Sequence, residues 1–211
     1  MHITRATQAF TLYCFATAVY LSVGGVLQTR WGLGGIAFNE AVFLALPALV
    51  YVLATGLDFR KVLPFSVPSL MDVLIVLLLT ALAIAPIELW IHYQEKFWPL
   101  PQEVETFYKK LLVKETWWHE VMKVLVLAVL PALCEELFFR GLLQSLLLTS
   151  FSPWKAVLLT ALFFAVAHAN PWYFSYYFFL GLFLGWCRQW RNNLSLCVLA
   201  HLANNVYSLY G

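Results

Sequence analysis

The chain consists of long apolar runs separated by short segments that are rich in polar residues, glycine or proline. A helix needs roughly 20 consecutive apolar residues to cross a bilayer. The pattern predicts about seven such helices, over residues 8–27, 36–56, 70–91, 120–148, 154–169, 173–186 and 194–209. The predicted fold class is therefore all-α, a polytopic transmembrane helix bundle of about seven helices.

One stretch, residues 92–119, departs from this pattern because charged and aromatic side chains alternate along it. Two pairs with i, i+4 spacing, Phe107 with Leu111 and Tyr108 with Leu112, predict an amphipathic interfacial helix in its later half. A surface connector anchored by aromatic residues is favoured over a substrate lid. We expect a single integral-membrane domain over residues 1–211, with accessory spans in 1–91, an interfacial connector in 92–119 and a functional core in 120–211.

Composition places the chain among membrane proteins. Of its 211 residues, 62% are hydrophobic and only 11% are charged, whereas a soluble domain has about 25% charged residues. The formal net charge is +2 and no basic cluster is interleaved with aromatic residues, so no nucleic-acid partner is expected. The four cysteines lie in apolar runs without CxxC spacing, as small buried hydrophobic residues do. The lipid bilayer is the expected surrounding, and a bacterial inner (cell) membrane is the expected location.

Basic residues in the short loops predict the orientation. With the N-terminus inside, the short inner segments hold Arg5, Arg60, Lys61, Lys155, Arg188 and Arg191, and the short outer segments hold only Arg30. The positive-inside rule therefore favours seven spans with the N-terminus inside. His168 and Asn205 then fall toward the outer side.

Three charged residues interrupt the fourth apolar run: Glu135, Glu136 and Arg140. Each costs about 2.5–3.5 kcal/mol near the bilayer centre, so such residues persist where they pair, face a cavity or carry out chemistry. Glu136 and Arg140 are spaced i, i+4, which predicts an ion pair on one helix face. Glu135 lies about 100° around the helix from Glu136 and has no predicted partner. A carboxylate left over inside a helix bundle is a candidate general base.

Further polar residues occur in the later apolar runs. His168 ends the fifth run, and His201 and Asn205 share one face of the seventh through their i, i+4 spacing. A lone intramembrane histidine is more often an interhelical hydrogen-bonding residue. Together with Glu135, however, these residues comprise a general base, a proton carrier and donors for an oxyanion, which is what adding water to an amide requires. No serine or cysteine with a partnering base stands out, so an acyl-enzyme is less favoured.

Three motifs on successive late spans resemble the CPBP family: Glu135-Glu136-x-x-x-Arg140, Phe164-x-x-x-His168 and His201-x-x-x-Asn205. That family comprises type II CAAX prenyl endopeptidases and bacteriocin-processing (Abi) proteins, which are glutamic-type intramembrane proteases. The resemblance covers residues 120–211, whereas the first three spans match only in being hydrophobic.

The resemblance implies a role for each matched residue. Glu135 activates a water molecule with the help of His168, and His201 and Asn205 stabilise the tetrahedral oxyanion. Glu136 and Arg140 form a supporting ion pair that orders the catalytic helix. No metal, cofactor or covalent intermediate is implied. The implied partner is a protein or peptide substrate with a membrane-embedded or lipidated tail, cut near that tail.

Two other interpretations stay open. Two histidines and a glutamate are also a known catalytic zinc set, so the same residues are compatible with a zinc-dependent membrane protease. An alternative without enzymatic activity is a proton-relay protein, or a membrane immunity or scaffold protein. The segment His119-Glu120-x-x-Lys123 is a near miss for the zinc signature HExxH, because Lys123 stands where the second histidine belongs.

Overall fold

The computed structural model describes residues 4–111, Val113 and residues 116–210, with all their side chains except those of Phe107, Lys110 and Leu111. All regular elements in this part of the chain are helices, which confirms the predicted all-α class. They are α1 (Arg5–Trp31), α2 (Leu33–Ala54), α3 (Phe59–Val62), α4 (Leu70–Glu95), α5 (Gln102–Leu111), α6 (117–148), α7 (Pro153–Ala167), α8 (Phe174–Arg191) and α9 (Leu194–Tyr210). Apart from α3 and α5, these correspond to the predicted spans.

The helices of the bundle differ in length and in polarity. Three helices, α1, α2 and α4, are long and apolar enough to cross a membrane, with 27, 22 and 26 residues. In contrast, α6 carries charged residues in its interior, and α7 has only 15 residues, which is about 22 Å at 1.5 Å per residue. Buried residues from both halves form one hydrophobic core. The chain is therefore an integral membrane helix bundle, and the charged side chains of Glu135, Glu136 and Arg140 lie inside it on α6.

The turn between the first two helices is shorter than the sequence predicts. Residues 28–35 read as a turn, but α1 continues to Trp31 and α2 begins at Leu33, so Gly32 alone forms the turn. Gly32 adopts φ 54° and ψ −127°, a conformation that glycine reaches without a steric penalty. Gly35 then lets α2 approach α1, because a Cβ there would overlap the backbone of Leu27.

In the described part of the chain, four π-helical turns interrupt the long helices, at Tyr20–Gly24 in α1, Ala41–Ala45 in α2, and Leu125–Val129 and Leu137–Leu143 in α6. Two of them are followed directly by the same tetrapeptide, Leu-Pro-Ala-Leu, at residues 46–49 and 130–133. Proline has no N–H to donate to the preceding turn, and the wider π-helical turn lies where that donor is missing. Turns of this kind occur frequently at functional sites.

Helices α7 and α8 pack closely through the small residues of α8. A Cβ on Gly181 would lie 2.9 Å from the Cα of Ala161, and a Cβ on Gly185 would lie 3.0 Å from a methyl carbon of Val157. The small-xxx-small spacing of the two glycines predicts this kind of helix packing, and the structure confirms it. The carbonyl oxygens of Gly181 and Gly185 also accept hydrogen bonds from side chains of α6.

We expect Gly181→Ala to destabilise the protein, because the added methyl group meets the backbone of Ala161. Overpacking of this kind costs about 1–3 kcal/mol, or about 2–12 °C in unfolding temperature for a chain of this size. Thermal unfolding in detergent measures the change. Gly34→Ala is the matched control, because Gly34 has no atom within 4 Å of the added Cβ. Equal unfolding temperatures for the two variants would contradict the packing described.

The connector contains the helix α5, in the stretch where an amphipathic helix is predicted. Of the pairs that predict it, the side chains of Phe107, Leu111 and Leu112 lie outside the described part of the structure. The Asn170 amide donates a hydrogen bond to the Tyr108 hydroxyl at 2.9 Å, and the Tyr108 ring meets Tyr173 edge-on with centroids 6.1 Å apart. These contacts hold α5 against the segment between α7 and α8.

Candidate active site

Glu135 lies where three helices meet. Its Oε2 is 3.9 Å from Nε2 of His168, directly after α7, and 3.9 Å from Nε2 of His201 on α9. The Glu135 side chain is only 8% exposed, and Oε2 has no hydrogen-bond partner among the residues that the structure describes. The structure therefore brings together the carboxylate and both imidazoles that the sequence singles out.

The predicted Glu136–Arg140 ion pair is present and extends to His201. Arg140 Nη1 is 2.8 Å from Glu136 Oε1, and both side chains are fully buried. Nδ1 of His201 lies 2.9 Å from the same carboxylate oxygen. Arg140 also donates from Nη2 to the Gly181 carbonyl at 3.2 Å, and its guanidinium carbon lies 4.3 Å from the centre of the Phe164 ring. The pair thus links α6 to α7, α8 and α9.

The orientation of His168 is fixed from two sides. Its Nδ1 lies 2.8 Å from the carbonyl oxygen of Phe164, one turn earlier in α7. Its ring stacks on Tyr177 of α8, with centroids 3.7 Å apart and 23° between the planes. Immediately after it, Ala169 has φ 47°, so the helix ends here and the chain turns away. Nε2 of His168 consequently points to Glu135.

The ring nitrogens of the two histidines have definite hydrogen-bonding roles. A backbone carbonyl only accepts hydrogen bonds, so Nδ1 of His168 carries the proton in the bond to Phe164. An ionised carboxylate likewise only accepts, so Nδ1 of His201 donates to Glu136. In the neutral state, each ring therefore presents the lone pair of Nε2 to Glu135. One added proton converts either Nε2 into a donor.

Asn205 lies in the same cavity as the histidines but is held weakly. Its Nδ2 is 3.4 Å from the carbonyl oxygen of Ala128, beyond the usual 2.7–3.2 Å range of a good N–H···O bond. Its neighbour Asn204, a polar residue of the same apolar run for which the sequence predicts no role, is buried and accepts a 3.0 Å hydrogen bond from the Tyr176 hydroxyl. The two asparagines thus differ, because Asn204 is anchored to α8 whereas Asn205 is available to a ligand.

A cavity of about 300 Å³ joins these groups. Its lining is polar at the site and apolar around it: Tyr108, Leu127, Pro131, Glu135, His168, Tyr176, Tyr177, Leu180, His201, Asn204, Asn205, Ser208 and Leu209. The sequence signals for Glu135, His168, His201 and Asn205 are polar residues inside apolar runs. The tyrosines carry no such signal, because tyrosine is common in apolar spans and at their ends.

In the segment that resembles HExxH, the lysine at the position of the second histidine forms an ion pair and a hydrogen bond. Lys123 is buried, pairs with Glu120 at 2.7 Å and donates a 2.9 Å hydrogen bond to the Val113 carbonyl. Within the described part of the chain, no three histidine, cysteine, aspartate or glutamate side chains are grouped so that they could hold a metal ion. The described cysteines are free thiols, and Cys134, Cys187 and Cys197 are buried, as predicted for small hydrophobic residues. For Cys14 this prediction is wrong, because its side chain is exposed on α1.

Comparison with known proteins agrees with the geometry. The family model Type II CAAX prenyl endopeptidase Rce1-like matches residues 117–207. These residues include all six site residues, and they extend from the start of α6 into the last turn of α9. No match was found among curated proteins or among solved structures. The predicted resemblance to the CPBP family is thus confirmed over the later part of the chain, where residues 117–207 are similar to the type II CAAX prenyl endopeptidase, Rce1-like proteins.

Proposed function

We propose that this protein is a glutamic-type intramembrane endopeptidase. It hydrolyses a peptide bond near the membrane-embedded or lipidated tail of a protein or peptide. The observation that carries the proposal is the position of Glu135 Oε2, which is buried and lies 3.9 Å from Nε2 of both His168 and His201. The match of residues 117–207 to a prenyl endopeptidase family model supports the reaction class.

The spacing of these three groups suits a water molecule between them. At 3.9 Å the carboxylate and imidazole atoms are too far apart for a direct hydrogen bond, and one water molecule bridges such a gap. Glu135 takes one proton from that water as the water oxygen bonds to the carbonyl carbon of the peptide. The π electrons of the carbonyl move to its oxygen, which becomes the oxyanion of the tetrahedral intermediate.

His201 and Asn205 are suited to stabilise the oxyanion. His201 donates from Nε2 once it is protonated, and Glu136 stabilises the resulting imidazolium through Nδ1. The Asn205 amide makes two long contacts, one of 3.4 Å from its Nδ2 to the Ala128 carbonyl oxygen and one of 3.4 Å from Nδ2 of Asn204 to its Oδ1, so it turns to the substrate at little cost. Collapse of the intermediate breaks the C–N bond, and the proton that Glu135 took from water passes to the leaving nitrogen, directly or through Nε2 of His168. The products are a carboxylate and an amine.

The substrate class follows from the setting of the cavity. The site lies inside a membrane helix bundle, and the apolar residues Leu127, Pro131, Leu180 and Leu209 line the cavity beside the polar groups. An extended peptide with an apolar or lipid-bearing tail matches such a wall, because it arrives from the bilayer without first being dissolved in water. We place the protein in a bacterial inner (cell) membrane, where such substrates are anchored.

The test is to identify cleaved proteins directly. Membranes that contain the wild-type protein or the Glu135→Gln variant, with candidate tail-bearing proteins co-expressed, are analysed by mass spectrometry of protein termini. We expect new termini in the wild-type sample that are absent with the variant at equal protein level. Identical termini in the two samples would refute the endopeptidase and favour an immunity, scaffold or proton-relay protein.

Chelators separate a metal-independent protease from the zinc alternative. Cleavage of an identified substrate by the purified protein is expected to continue unchanged after prolonged treatment with a strong chelator. The physical reason is that Glu135 acts as a base and that, among the residues that the structure describes, no three histidine, cysteine, aspartate or glutamate side chains are grouped so that they could hold a metal ion. Loss of activity that added Zn²⁺ restores would show instead that the three groups bind a catalytic metal.

A further inference from the structure

A second, smaller cavity adjoins Glu135 on the side of α1. Its volume is about 170 Å³, and Tyr20 and Gln28 of α1 line it together with Glu135 and His168. His201 lines the larger cavity and not this one. Glu135 and His168 therefore form part of the wall of both cavities.

Of the residues of α1 that line the smaller cavity, Thr17, Tyr20 and Gln28 are polar, and Tyr20 contacts a buried carboxylate behind the wall. The Tyr20 hydroxyl donates a 2.6 Å hydrogen bond to Oε1 of Glu40, on α2. Glu40 is only 2% exposed. Its Oε2, like Oε2 of Glu135, has no hydrogen-bond partner within the described part of the chain. Buried polar atoms without a protein partner are usually satisfied by ordered water.

Irregular backbone places these two side chains together. Tyr20 is the first residue of the π-helical turn in α1, and Glu40 directly precedes the one in α2. Beside them α1 and α2 approach closely, because a Cβ on Gly24 would overlap the side chain of Asn39. This approach brings the Tyr20 hydroxyl within hydrogen-bonding distance of a carboxylate on the neighbouring helix.

The two cavities differ in what they can hold. Pockets that bind organic ligands have volumes of about 300–1,000 Å³, and a water molecule takes about 30 Å³ in the liquid. The larger cavity, about 300 Å³, reaches the lower limit for such a ligand. The smaller one, about 170 Å³, falls below that limit and has room for a few water molecules.

We propose that the smaller cavity supplies the attacking water, and that Tyr20, held by Glu40, is a positioning residue for it. This inference rests on the proposed endopeptidase function. Water reaches Oε2 of Glu135 from the α1 side while the peptide occupies the larger cavity with His201. Tyr20 keeps its proton throughout, since its hydroxyl donates to Glu40 and accepts a hydrogen bond from water. Glu135 takes the proton that the water loses as its oxygen bonds to the carbonyl carbon.

Gly25 allows the smaller cavity to be filled without disturbing the larger one. It lines the smaller cavity, and a Cβ placed on it meets no atom within 4 Å. We expect Gly25→Leu to lower kcat by about 10-fold to 100-fold, the range seen when reacting groups are misplaced. KM is expected to change by less than about twofold, because the peptide binds elsewhere. Tyr20→Phe is expected to lower kcat in the same way, since it removes only the hydroxyl group.

Gly34→Leu is the matched control, because Gly34 is exposed on α2 and also has open space around an added Cβ. Its kcat and KM are expected to equal those of the wild type. A raised KM with unchanged kcat in Gly25→Leu would overturn the proposal, because the smaller cavity would then bind the peptide. Unchanged values of both constants in Gly25→Leu and Tyr20→Phe would overturn it as well.

A second measurement is independent of proteolysis. Hydroxyl radicals are generated by X-ray radiolysis in ¹⁸O-labelled water, and mass spectrometry then locates the labelled side chains. We expect Tyr20 to be labelled in the wild type and in Gly34→Leu, and to lose the label in Gly25→Leu. Tyr207, which is exposed near the end of α9, is the internal reference. An unlabelled Tyr20 in the wild type refutes the water cavity even if peptides are cleaved. A labelled Tyr20 without any cleavage refutes only the endopeptidase.

Discussion

Glu135→Gln is expected to lower kcat by about 10²–10⁴-fold, the usual contribution of a general base. Glutamine has nearly the same shape as glutamate, but its amide does not take a proton from water. The unfolding temperature should not fall, because Oε2 makes no hydrogen bond to any residue that the structure describes, and burial of a neutral amide costs less than burial of a charge. The measurement is kcat on an identified substrate, together with thermal unfolding of the same preparation.

The control for this prediction is Glu103→Gln, which makes the same chemical change on an exposed position of α5. It is expected to keep wild-type kcat and stability. If Glu135→Gln still cleaves at a rate comparable to the control, Glu135 is not the base. If it instead fails to accumulate while Glu103→Gln accumulates normally, the carboxylate has a structural role that its geometry does not indicate.

The main residues of the site can be predicted from the sequence, because a bilayer tolerates few polar side chains that have no partner or function. A charged or strongly polar side chain in an apolar run needs a partner, a cavity or a function, so Glu135, Glu136 and Arg140 stand out in the sequence. The i, i+4 spacing within one helix then correctly predicts the Glu136–Arg140 pair. Spacing within a helix does not, however, predict contacts between helices. The bond from His201 to Glu136 depends on how α9 is rotated against α6.

The same physical reason explains why the Tyr20–Glu40 pair escapes sequence analysis. Glu40 is an intramembrane carboxylate, which is a signal in itself, but its partner lies on another helix, 20 residues earlier. The register between α1 and α2 is set by a one-residue turn at Gly32 and by the Gly24 and Gly35 contacts. It is also set by two π-helical turns, and a hydrophobic pattern with a period of 3.6 residues does not locate such turns.

Helix ends are displaced from their predicted positions where polar residues extend a helix beyond its apolar run. Helix α8 is predicted to end at 186, but it continues to Arg191. Arg191 pairs with Asp72 of α4 at 2.9 Å, and its guanidinium lies 4.5 Å from the centre of the Trp190 ring. These contacts stabilise an additional helical turn, although its amino-acid composition is typical of a loop. The helix ends at Asn192, which has a left-handed conformation.

Arg140→Ala is expected to destabilise the folded protein by about 3–5 kcal/mol, because it leaves the Glu136 carboxylate buried without its cation. For a chain of this size the loss corresponds to about 6–20 °C in unfolding temperature, with reduced accumulation in the membrane. The variant also removes the hydrogen bond to the Gly181 carbonyl and the contact with the Phe164 ring. Thermal unfolding in detergent and protein yield are the measurements.

A double-mutant cycle distinguishes two contributions to the loss of stability. One is the burial of a charge without its partner, and the other is the loss of these contacts. Arg140→Met keeps much of the side-chain volume and strands Glu136, whereas Glu136→Gln alone leaves the Arg140 cation without its carboxylate. The double variant has no buried charge at either position, so it is expected to be more stable than either single variant. His201 still finds an acceptor in the amide oxygen of Glu136→Gln. If the two single effects simply add, Arg140 and Glu136 stabilise the bundle through their separate packing contacts, and the electrostatic coupling between them is wrong.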